Sequence, residues 1–150
     1  MAADLLSPKY LLKRRPSSLS SSARSSVRYG DGFFGAGSTT AQFAEQVRMV
    51  RGALAEAGRD PANFRIAKRI YNAVDDDAER ARRLVAASLV RLYGDFGRGL
   101  EPADVSGPPD ACVERVREVA EAGAELTLFT PSFNEAEQME RLGAEVAPEL

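Results

Sequence analysis

Apolar positions alternate between short continuous runs and helical stripes from Gly30 onward. Phe33 and Phe34 form an apolar pair between glycines, which predicts a short buried strand. The next stripe has the spacing of a helix face and predicts a helix over 42–57, through Phe43, Val47, Val50 and Leu54. Gly58 then marks the end of this helix.

The same order of strand and helix recurs after the turn at Asp60-Pro61. Residues 65–74 predict a strand with Ile66, Ile70 and Val74 on one face. Asp76 and Glu79 have the spacing of a capping box and predict the start of a second helix. Its apolar stripe consists of Ala81, Leu84, Val85, Ser88, Leu89 and Leu92.

The last third of the chain begins with residues 95–109, a segment rich in glycine and proline that predicts a loop. Residues 110–122 predict a third helix, with Val113, Val116, Val119 and Ala120 facing inward. Residues 125–130 predict a third strand, and Asn134 can cap a final helix that holds Met139, Leu142 and Val146.

This pattern of three strands separated by helices predicts an α/β fold with parallel strands and right-handed crossovers. Three strands cannot close a barrel, and a parallel sheet of this size has two open edges. We therefore expect part of a larger α/β structure, which is either incomplete or pairs with a second chain. A homo-oligomer that forms through the open sheet edges is one such pairing.

Residues 1–28 differ in composition from residues 29–150. They carry six cations against the single acid Asp4, together with the serine run over 17–26. Such a start is typical of an organellar transit peptide, a disordered leader or a wrongly chosen reading frame, and we favour the last two. We assign residues 1–28 to an atypical leader and residues 29–150 to the domain. Residues 22–29 can still form a short helix.

The overall composition narrows the classes of function. A net charge of -2 over 150 residues gives no reason to expect a nucleic-acid partner. The chain has no histidine and one cysteine, Cys112, so His-ligated metals, Cys-cluster metals and internal disulfides are excluded within it. Asp75-Asp76-Asp77 suggests a cation site, but acids at a helix start need no metal. No apolar run approaches the roughly 20 residues of a membrane span, and we expect a cytoplasmic protein.

The glycine-rich segment over 29–40 carries the strongest chemical signal. A strand that turns through Gly35 and Gly37 into a helix capped by Ser38, Thr39 or Thr40 presents free N–H groups that suit a phosphate. The segment also matches the dinucleotide pattern at Gly30, Gly32 and Gly35, although no strand precedes the first of these glycines. From the residues alone, we favour an ordinary strand-to-helix turn that binds nothing.

The series of motifs resembles the late part of the luciferase-like monooxygenase family over about residues 27–150. The resemblance is carried in collinear order by Gly30-Asp31-Gly32-Phe33-Phe34-Gly35-Ala36-Gly37-Ser38, Gly58-Arg59-Asp60-Pro61, Ile66-Ala67-Lys68-Arg69-Ile70-Tyr71, Val74-Asp75-Asp76-Asp77 and Glu121-Ala122-Gly123-Ala124. It implies a partial (β/α)8 TIM barrel, about the last three strand–helix units.

The resemblance also implies a coenzyme and its contacts. Members of this family are oxidoreductases that use reduced flavin mononucleotide or the deazaflavin coenzyme (factor 420) on a small-molecule substrate. The loops after the last strands of such barrels commonly bind phosphate. This makes Gly35, Gly37, Ser38 and Thr39 candidate coenzyme-binding residues. Much of the ring and substrate pocket comes from the first half of the barrel in this family. The resemblance therefore implies an oxidoreductase fragment whose activity alone is in doubt.

Lys68 and Arg69 are consecutive in the predicted strand and must face opposite ways. Lys68 shares its face with Ile66 and Ile70, and we expect that apolar face to meet the helices. Arg69 would then point toward the barrel interior with Tyr71, where it can meet a phosphate or a substrate carboxylate, or form a structural ion pair.

Two alternatives to the oxidoreductase remain open. One is a non-catalytic α/β module that self-associates or binds phosphate. The other is a small Rossmann-type domain that uses Gly30, Gly32 and Gly35 for a dinucleotide.

Overall fold

A computed structural model of the chain describes residues 16–131 and 133–150. Helices and strands alternate through most of it, as the hydrophobic pattern predicts. They are α1 (Pro16–Tyr29), β1 (Gly32–Gly35), α2 (Thr40–Glu56), β2 (Arg65–Val74), α3 (Ala78–Tyr93), β3 (Asp104–Gly107), α4 (Pro109–Glu121), β4 (Leu126–Pro131) and α5 (Glu135–Arg141). Short 3₁₀ segments occupy Pro61–Asn63 and Gly94–Ala103, and α5 continues through a π turn at Leu142–Val146 into a 3₁₀ turn at Ala147–Glu149.

The first helix extends beyond the predicted short helix, because α1 begins at Pro16 rather than near residue 22. Its Ala23 and Val27 are buried in a cluster with side chains of α2. The structure therefore places residues 16–28 of the predicted leader in a helix. Residues 1–15 lie outside the described part of the chain, and the domain boundary at residue 28 stays a prediction.

All described strand pairs are parallel, and β2 is the centre of the sheet. Residues 67–72 of β2 pair with β4, while its beginning pairs with β1 and its end pairs with β3. The β4 register overlaps both of the others. A strand has only two hydrogen-bonding edges, so β1 and β3 follow one another along one edge and β4 occupies the other.

One face of this sheet is covered by helices along its whole length. Phe43, Val47 and Leu54 of α2 pack with Ile66, and Val113, Val116 and Val119 of α4 pack with Ile70 and Val74. Burial of these side chains contributes hydrophobic stabilisation to the described chain. The predicted inward stripes of both helices are confirmed, except that Ala120 is exposed.

The opposite face is covered only at the carboxyl end of β2. Tyr71 and Ala73 pack there against Ala81, Val85 and Leu89 of α3 and against Leu100. Leu100 belongs to residues 95–109, for which a plain loop was predicted. That prediction was wrong, because the segment contains a 3₁₀ turn followed by β3. Long-range pairing with β2 and the packing of Leu100 stabilise a segment whose local composition favours a loop.

Two of the predicted caps differ from the observed ones. The N-cap of α3 is Asp77 rather than Asp76, and its side chain accepts hydrogen bonds from the N–H groups of Glu79 and Arg80. Asn134 precedes α5 in a left-handed conformation with φ 42° and makes no side-chain cap. Gln138 holds α5 instead, since its amide bonds both the N–H and the carbonyl of Val74 at 2.8 and 3.1 Å.

Candidate functional site

The glycine loop, defined here as residues 35–39, lies at the carboxyl end of β1 and leads directly into α2. Gly37 has φ 63°, a conformation that favours glycine. A Cβ atom at this position would lie 2.8 Å from Cδ2 of Leu100, so the 3₁₀ segment packs closely over the loop. Glycine at this position therefore meets both a backbone and a packing requirement.

Thr39 is the N-cap of α2, as the sequence allowed. Its hydroxyl accepts from the N–H of Gln42 at 3.2 Å, and the Gln42 side chain accepts from the N–H of Thr39 at 3.0 Å. This reciprocal pair forms a capping box. The N–H groups of Thr40 and Ala41 follow in the first turn, where an α-helix has no internal partner for them. The positive end of the helix dipole thus faces the mouth of the loop.

Two of the four candidate loop residues are turned into the protein. Gly35 is buried, and a Cβ atom there would lie 2.6 Å from Cδ2 of Phe43. Ser38 is 5% exposed, and its hydroxyl donates to Oε1 of Gln46 at 3.4 Å. Gly37 is exposed and Thr39 is half-buried. A ligand at the loop can therefore reach Gly37 and Thr39 directly. Gly35 and Ser38 are buried on the inner side of the loop, where they pack against the protein.

Lys68 is the buried cation behind this loop. It lies on the helix-covered face of β2, as strand alternation predicted, and is 1% exposed. Its Nζ donates to the carbonyl oxygen of Ser38 at 2.6 Å and to the Ser38 hydroxyl at 3.0 Å. It also lies 5.4 Å from the ring centroid of Phe43. Burial lowers the pKa of the Lys68 ammonium to about 8.

Arg69 lies on the opposite face of β2, again as strand alternation predicted; this face is turned away from α2 and α4, and we call it the interior face. Its Nε donates to the Thr130 hydroxyl at 3.2 Å, and its guanidinium lies 4.9 Å from the ring centroid of Tyr71. Gly35 is the last residue of β1 and pairs with Lys68, so the glycine loop begins beside the residue that precedes Arg69. Adjacent strands are about 4.8 Å apart, so Arg69, in the middle of β2, lies one residue beyond the position at which β1 ends.

An aromatic group covers the carboxyl end of the interior face next to Arg69. The Tyr71 hydroxyl donates to the Tyr93 hydroxyl at 2.9 Å, and their rings meet edge to face with centroids 6.0 Å apart. Phe96 continues the group, with its centroid 6.4 Å from that of Tyr93. Burial and the Tyr93 hydrogen bond raise the pKa of Tyr71 to about 12. Sequence reasoning missed Tyr93 and Phe96, because only the fold brings them to β2.

The amino-terminal half of the interior face is open. Phe34, Leu126 and Leu128 project from this face and are 51%, 65% and 50% exposed. They surround Ala67 and Arg69 in the strand register. We refer to these three side chains as the open apolar face. The prediction that Phe33 and Phe34 are both buried therefore holds only for Phe33, which is partly buried against the α2 cluster.

The three consecutive aspartates serve different structural purposes. Asp75 accepts from Nε and Nη2 of Arg80 at 2.7 Å, and this hydrogen bonding lowers the Asp75 pKa. Asp76 pairs with Arg141 at 2.7 Å, while Asp77 caps α3. Among the described residues, no group of three or more carboxylate or thiol side chains is placed to hold a metal ion. Helix capping and ion pairing account for all three carboxylates.

A family model described as luciferase-like monooxygenase matches residues 17–104, which is more than half of the chain. The chain belongs to the luciferase-like monooxygenase family. The family prediction is thereby confirmed, and the match begins within α1, upstream of the point at which the sequence resemblance was recognised. No curated protein matches the chain. Within the part of the chain that the structure describes, no helix has the length and apolar character of a membrane span.

Solved structures support the fold assignment. One is an F420-dependent secondary alcohol dehydrogenase in complex with an F420-acetone adduct, with a TM-score of 0.73 and 16% identity over 87% of this chain. Another is the coenzyme F420 dependent tetrahydromethanopterin reductase from Methanopyrus kandleri, with a TM-score of 0.67 and 18% identity over 84%. A third is riboflavin lyase (RcaE) with modified FMN and substrate riboflavin, with a TM-score of 0.64 and 16% identity over 84%.

This chain spans only part of each of those proteins, namely 46%, 47% and 39% of their lengths in the same order. Identity at this level shows the fold alone. The predicted fold class, an α/β portion of a TIM barrel with parallel strands, is confirmed. The described part has four strands rather than the three predicted, because β3 was not foreseen.

Proposed function

We propose that this chain is the coenzyme-phosphate-binding portion of an oxidoreductase that uses flavin mononucleotide or the deazaflavin coenzyme F420. The observation that carries the proposal is the glycine loop at the carboxyl end of β1, which leads into the capped amino terminus of α2. Ligands of (β/α)8 barrels bind at this end of the strands, and phosphate binds at helix amino termini. Neighbours of the same fold carry F420 or modified FMN, which fits this class of coenzyme.

In this proposal the exposed backbone at Gly37 and the first-turn N–H groups after Thr39 donate to the phosphate. Gly35 and Ser38 keep the loop in shape rather than offering side chains to the ligand. Arg69 supplies a permanent positive charge from the neighbouring strand on the interior face. The bound coenzyme supplies hydride chemistry, and the aromatic group of Tyr71, Tyr93 and Phe96 shields the adjacent end of the sheet from water.

Hydride transfer requires the coenzyme ring and the substrate to be held together. The open apolar face leaves one side of the interior uncovered in the described chain. We therefore propose that this chain by itself binds the coenzyme chiefly through the phosphate of the coenzyme. Unless a complete barrel forms around it, the chain turns over a small-molecule substrate slowly.

A fluorescence titration with flavin mononucleotide and with riboflavin tests the proposal, because the two ligands differ only in the phosphate. We expect flavin mononucleotide to bind at least tenfold more tightly, as charge-assisted hydrogen bonds contribute about 1.5–3 kcal/mol each. Coenzyme F420 is titrated in parallel. Equal affinities for flavin mononucleotide and riboflavin, or no saturable binding of any of the three, would contradict it.

Arg69→Gln distinguishes the proposed phosphate contact from a general effect of charge. We expect this variant to lose about tenfold in affinity for flavin mononucleotide and little for riboflavin. Arg65→Gln is the matched control, because Arg65 begins the same strand and its side chain is exposed at the other end of the sheet. An equal loss in both variants would remove Arg69 from the proposed site.

A second candidate property is self-association, favoured by the open apolar face and by β4, whose only described partner strand is β2. Unpaired strand edges and exposed apolar patches commonly mediate association. Light scattering after size-exclusion chromatography should show a discrete dimer or larger species that Leu128→Lys converts to monomer. A wild-type monomer at all concentrations would contradict self-association and leave the coenzyme proposal intact.

A further inference from the structure

Lys68 is a buried cation whose described partners carry no charge. Its ammonium contacts the Ser38 carbonyl, the Ser38 hydroxyl and the ring of Phe43. Arg141, by contrast, binds the carboxylates of Asp76 and Glu145. Among the described residues, no carboxylate lies within ion-pair distance of Lys68. Burying an ammonium this deeply without a counter-ion costs free energy. The presence of Lys68 at this position therefore needs a reason.

We propose that Lys68 is a positioning residue that holds the glycine loop in its ligand-binding conformation. The inference rests on the proposed function of that loop. It adds a residue on the rear face of the sheet, where no coenzyme contact is expected.

The geometry explains how one side chain can hold the whole turn. Ser38 stands between Gly37, with its left-handed φ, and Thr39, the N-cap of α2. Lys68 bonds both the carbonyl and the hydroxyl of Ser38, and the hydroxyl is bonded in turn to Gln46. Fixing these two atoms of Ser38 fixes the direction of the following peptide. It thereby fixes where the first N–H groups of α2 point.

The positive charge of Lys68 also favours an anion in front of the glycine loop. An ammonium behind the amino terminus of α2 adds to the positive end of the helix dipole. A pKa of about 8 leaves most Lys68 side chains protonated at pH 7. A phosphate in front of the loop would be attracted by the helix end and by this buried charge together, although it need not touch Lys68.

Lys68→Met removes the charge and the donors while keeping an unbranched apolar chain. Asn72→Leu is the matched control, because Asn72 lies on the same face of the same strand, is 1% exposed, and its amide atoms make no hydrogen bond. Both variants thus convert a buried polar side chain of β2 to an apolar one. Only Lys68→Met releases the loop.

Hydrogen exchange of backbone amides, measured without ligand, provides the first test. We expect the amides of residues 36–42 to exchange at least tenfold faster in Lys68→Met and at the wild-type rate in Asn72→Leu. Amides in the middle of α2 and α4 should be unchanged in both. Unchanged exchange in the loop, or faster exchange throughout the protein, would overturn the inference, because the second result is that of a purely structural residue.

Titration with flavin mononucleotide and riboflavin provides the second test. We expect Lys68→Met to lower the preference for flavin mononucleotide over riboflavin about tenfold, and Asn72→Leu to leave it unchanged. If wild-type protein shows no such preference, the proposed function fails while the exchange test still decides the role of Lys68. If wild-type and Lys68→Met show the same preference, the positioning role is wrong and the proposed function stands.

A further variant covers the case in which Lys68→Met does not fold. Ser38→Ala keeps the lysine and the carbonyl contact and removes only the hydroxyl. We expect a smaller acceleration of exchange, confined to the same residues. An unchanged loop in Ser38→Ala with no folded Lys68→Met would count against the proposal.

Discussion

The two faces of the sheet differ in how completely they are covered. The face of Ile66, Lys68 and Ile70, which we call the closed face, is buried along its length beneath the closed layer formed by α2 and α4. The interior face is closed by α3 and the 3₁₀ segment only near Tyr71, and it exposes Phe34 and Leu128 nearer the start of the strands. In the described chain, helices therefore cover one face of the sheet along its length, whereas the interior face is covered only at one end.

Two neighbouring cations show the consequence for chemistry. Lys68 faces the closed layer, where burial lowers its pKa and its partners belong to the glycine loop. Arg69 faces the interior, where it lies beside Tyr71 and the start of that loop. Lys68 therefore contacts the glycine loop from the helix-covered face, and Arg69 lies on the other face of the same strand.

The largest expected effect comes from truncating one phenylalanine on each side of the sheet. Phe43→Ala should cost about 3–5 kcal/mol of unfolding free energy, because Phe43 is fully buried beneath the closed face. Phe34→Ala, on the open apolar face, should cost less than about 1 kcal/mol. Urea denaturation of both variants measures the difference. Equal costs would show that the open face is covered in solution.

The next largest expected effect is a pH dependence of the unfolding free energy that arises from Lys68 on the closed face. Burial lowers the folded-state pKa of Lys68 from 10.5 to about 8, so the unfolded chain binds more protons than the folded one between these values. Stability should therefore rise with pH through this window as the cost of the buried charge disappears, by at most about 3 kcal/mol.

Cys112 and Tyr71, whose pKa values burial raises to about 11 and about 12, act in the opposite direction at high pH. Comparison with Lys68→Met removes their contribution, since both variants retain these two groups. The difference in unfolding free energy between wild type and Lys68→Met should shift in favour of wild type from pH 8 to 10.5. Parallel curves for the two proteins would contradict a buried Lys68.

The smallest effect concerns Asn72, a polar residue on the closed face that makes no hydrogen bond with its amide. Asn72→Leu should leave stability unchanged or raise it by about 1 kcal/mol, because it removes two unsatisfied polar atoms. Thermal and urea unfolding measure this change. A loss above about 2 kcal/mol would indicate that the amide has a partner, such as a buried water.

Local sequence signals predicted the elements that local chemistry determines. The bounds of β2 were predicted without error, since Ile66, Ile70 and Val74 share one face and Asp60-Pro61 precedes the strand. Alternation also placed Lys68 and Arg69 on the correct faces. The start of α3 was misplaced by one residue, as Asp76 and Asp77 are chemically equivalent and only the backbone selects Asp77 as the cap.

Features that depend on contacts distant in sequence were missed. β3 has four residues in a glycine- and proline-rich segment, and its pairing with the end of β2 stabilises it. The bond from Lys68 to Ser38 joins residues 30 positions apart, and neither residue indicates it alone. The same holds for the packing of Leu100 on Gly37. The family resemblance selected the loop as a candidate site, but it gave no sign of the contact that Lys68 makes with Ser38.

In the proposed function, the glycine loop and the start of α2 bind the phosphate of the coenzyme. Amide chemical shifts measured by NMR during titration with flavin mononucleotide, and separately with riboflavin, test it most directly. We predict that flavin mononucleotide shifts the amides of residues 37–42 and that riboflavin leaves most of them in place. Shifts confined to other parts of the chain, or the same loop shifts with both ligands, would contradict the claim.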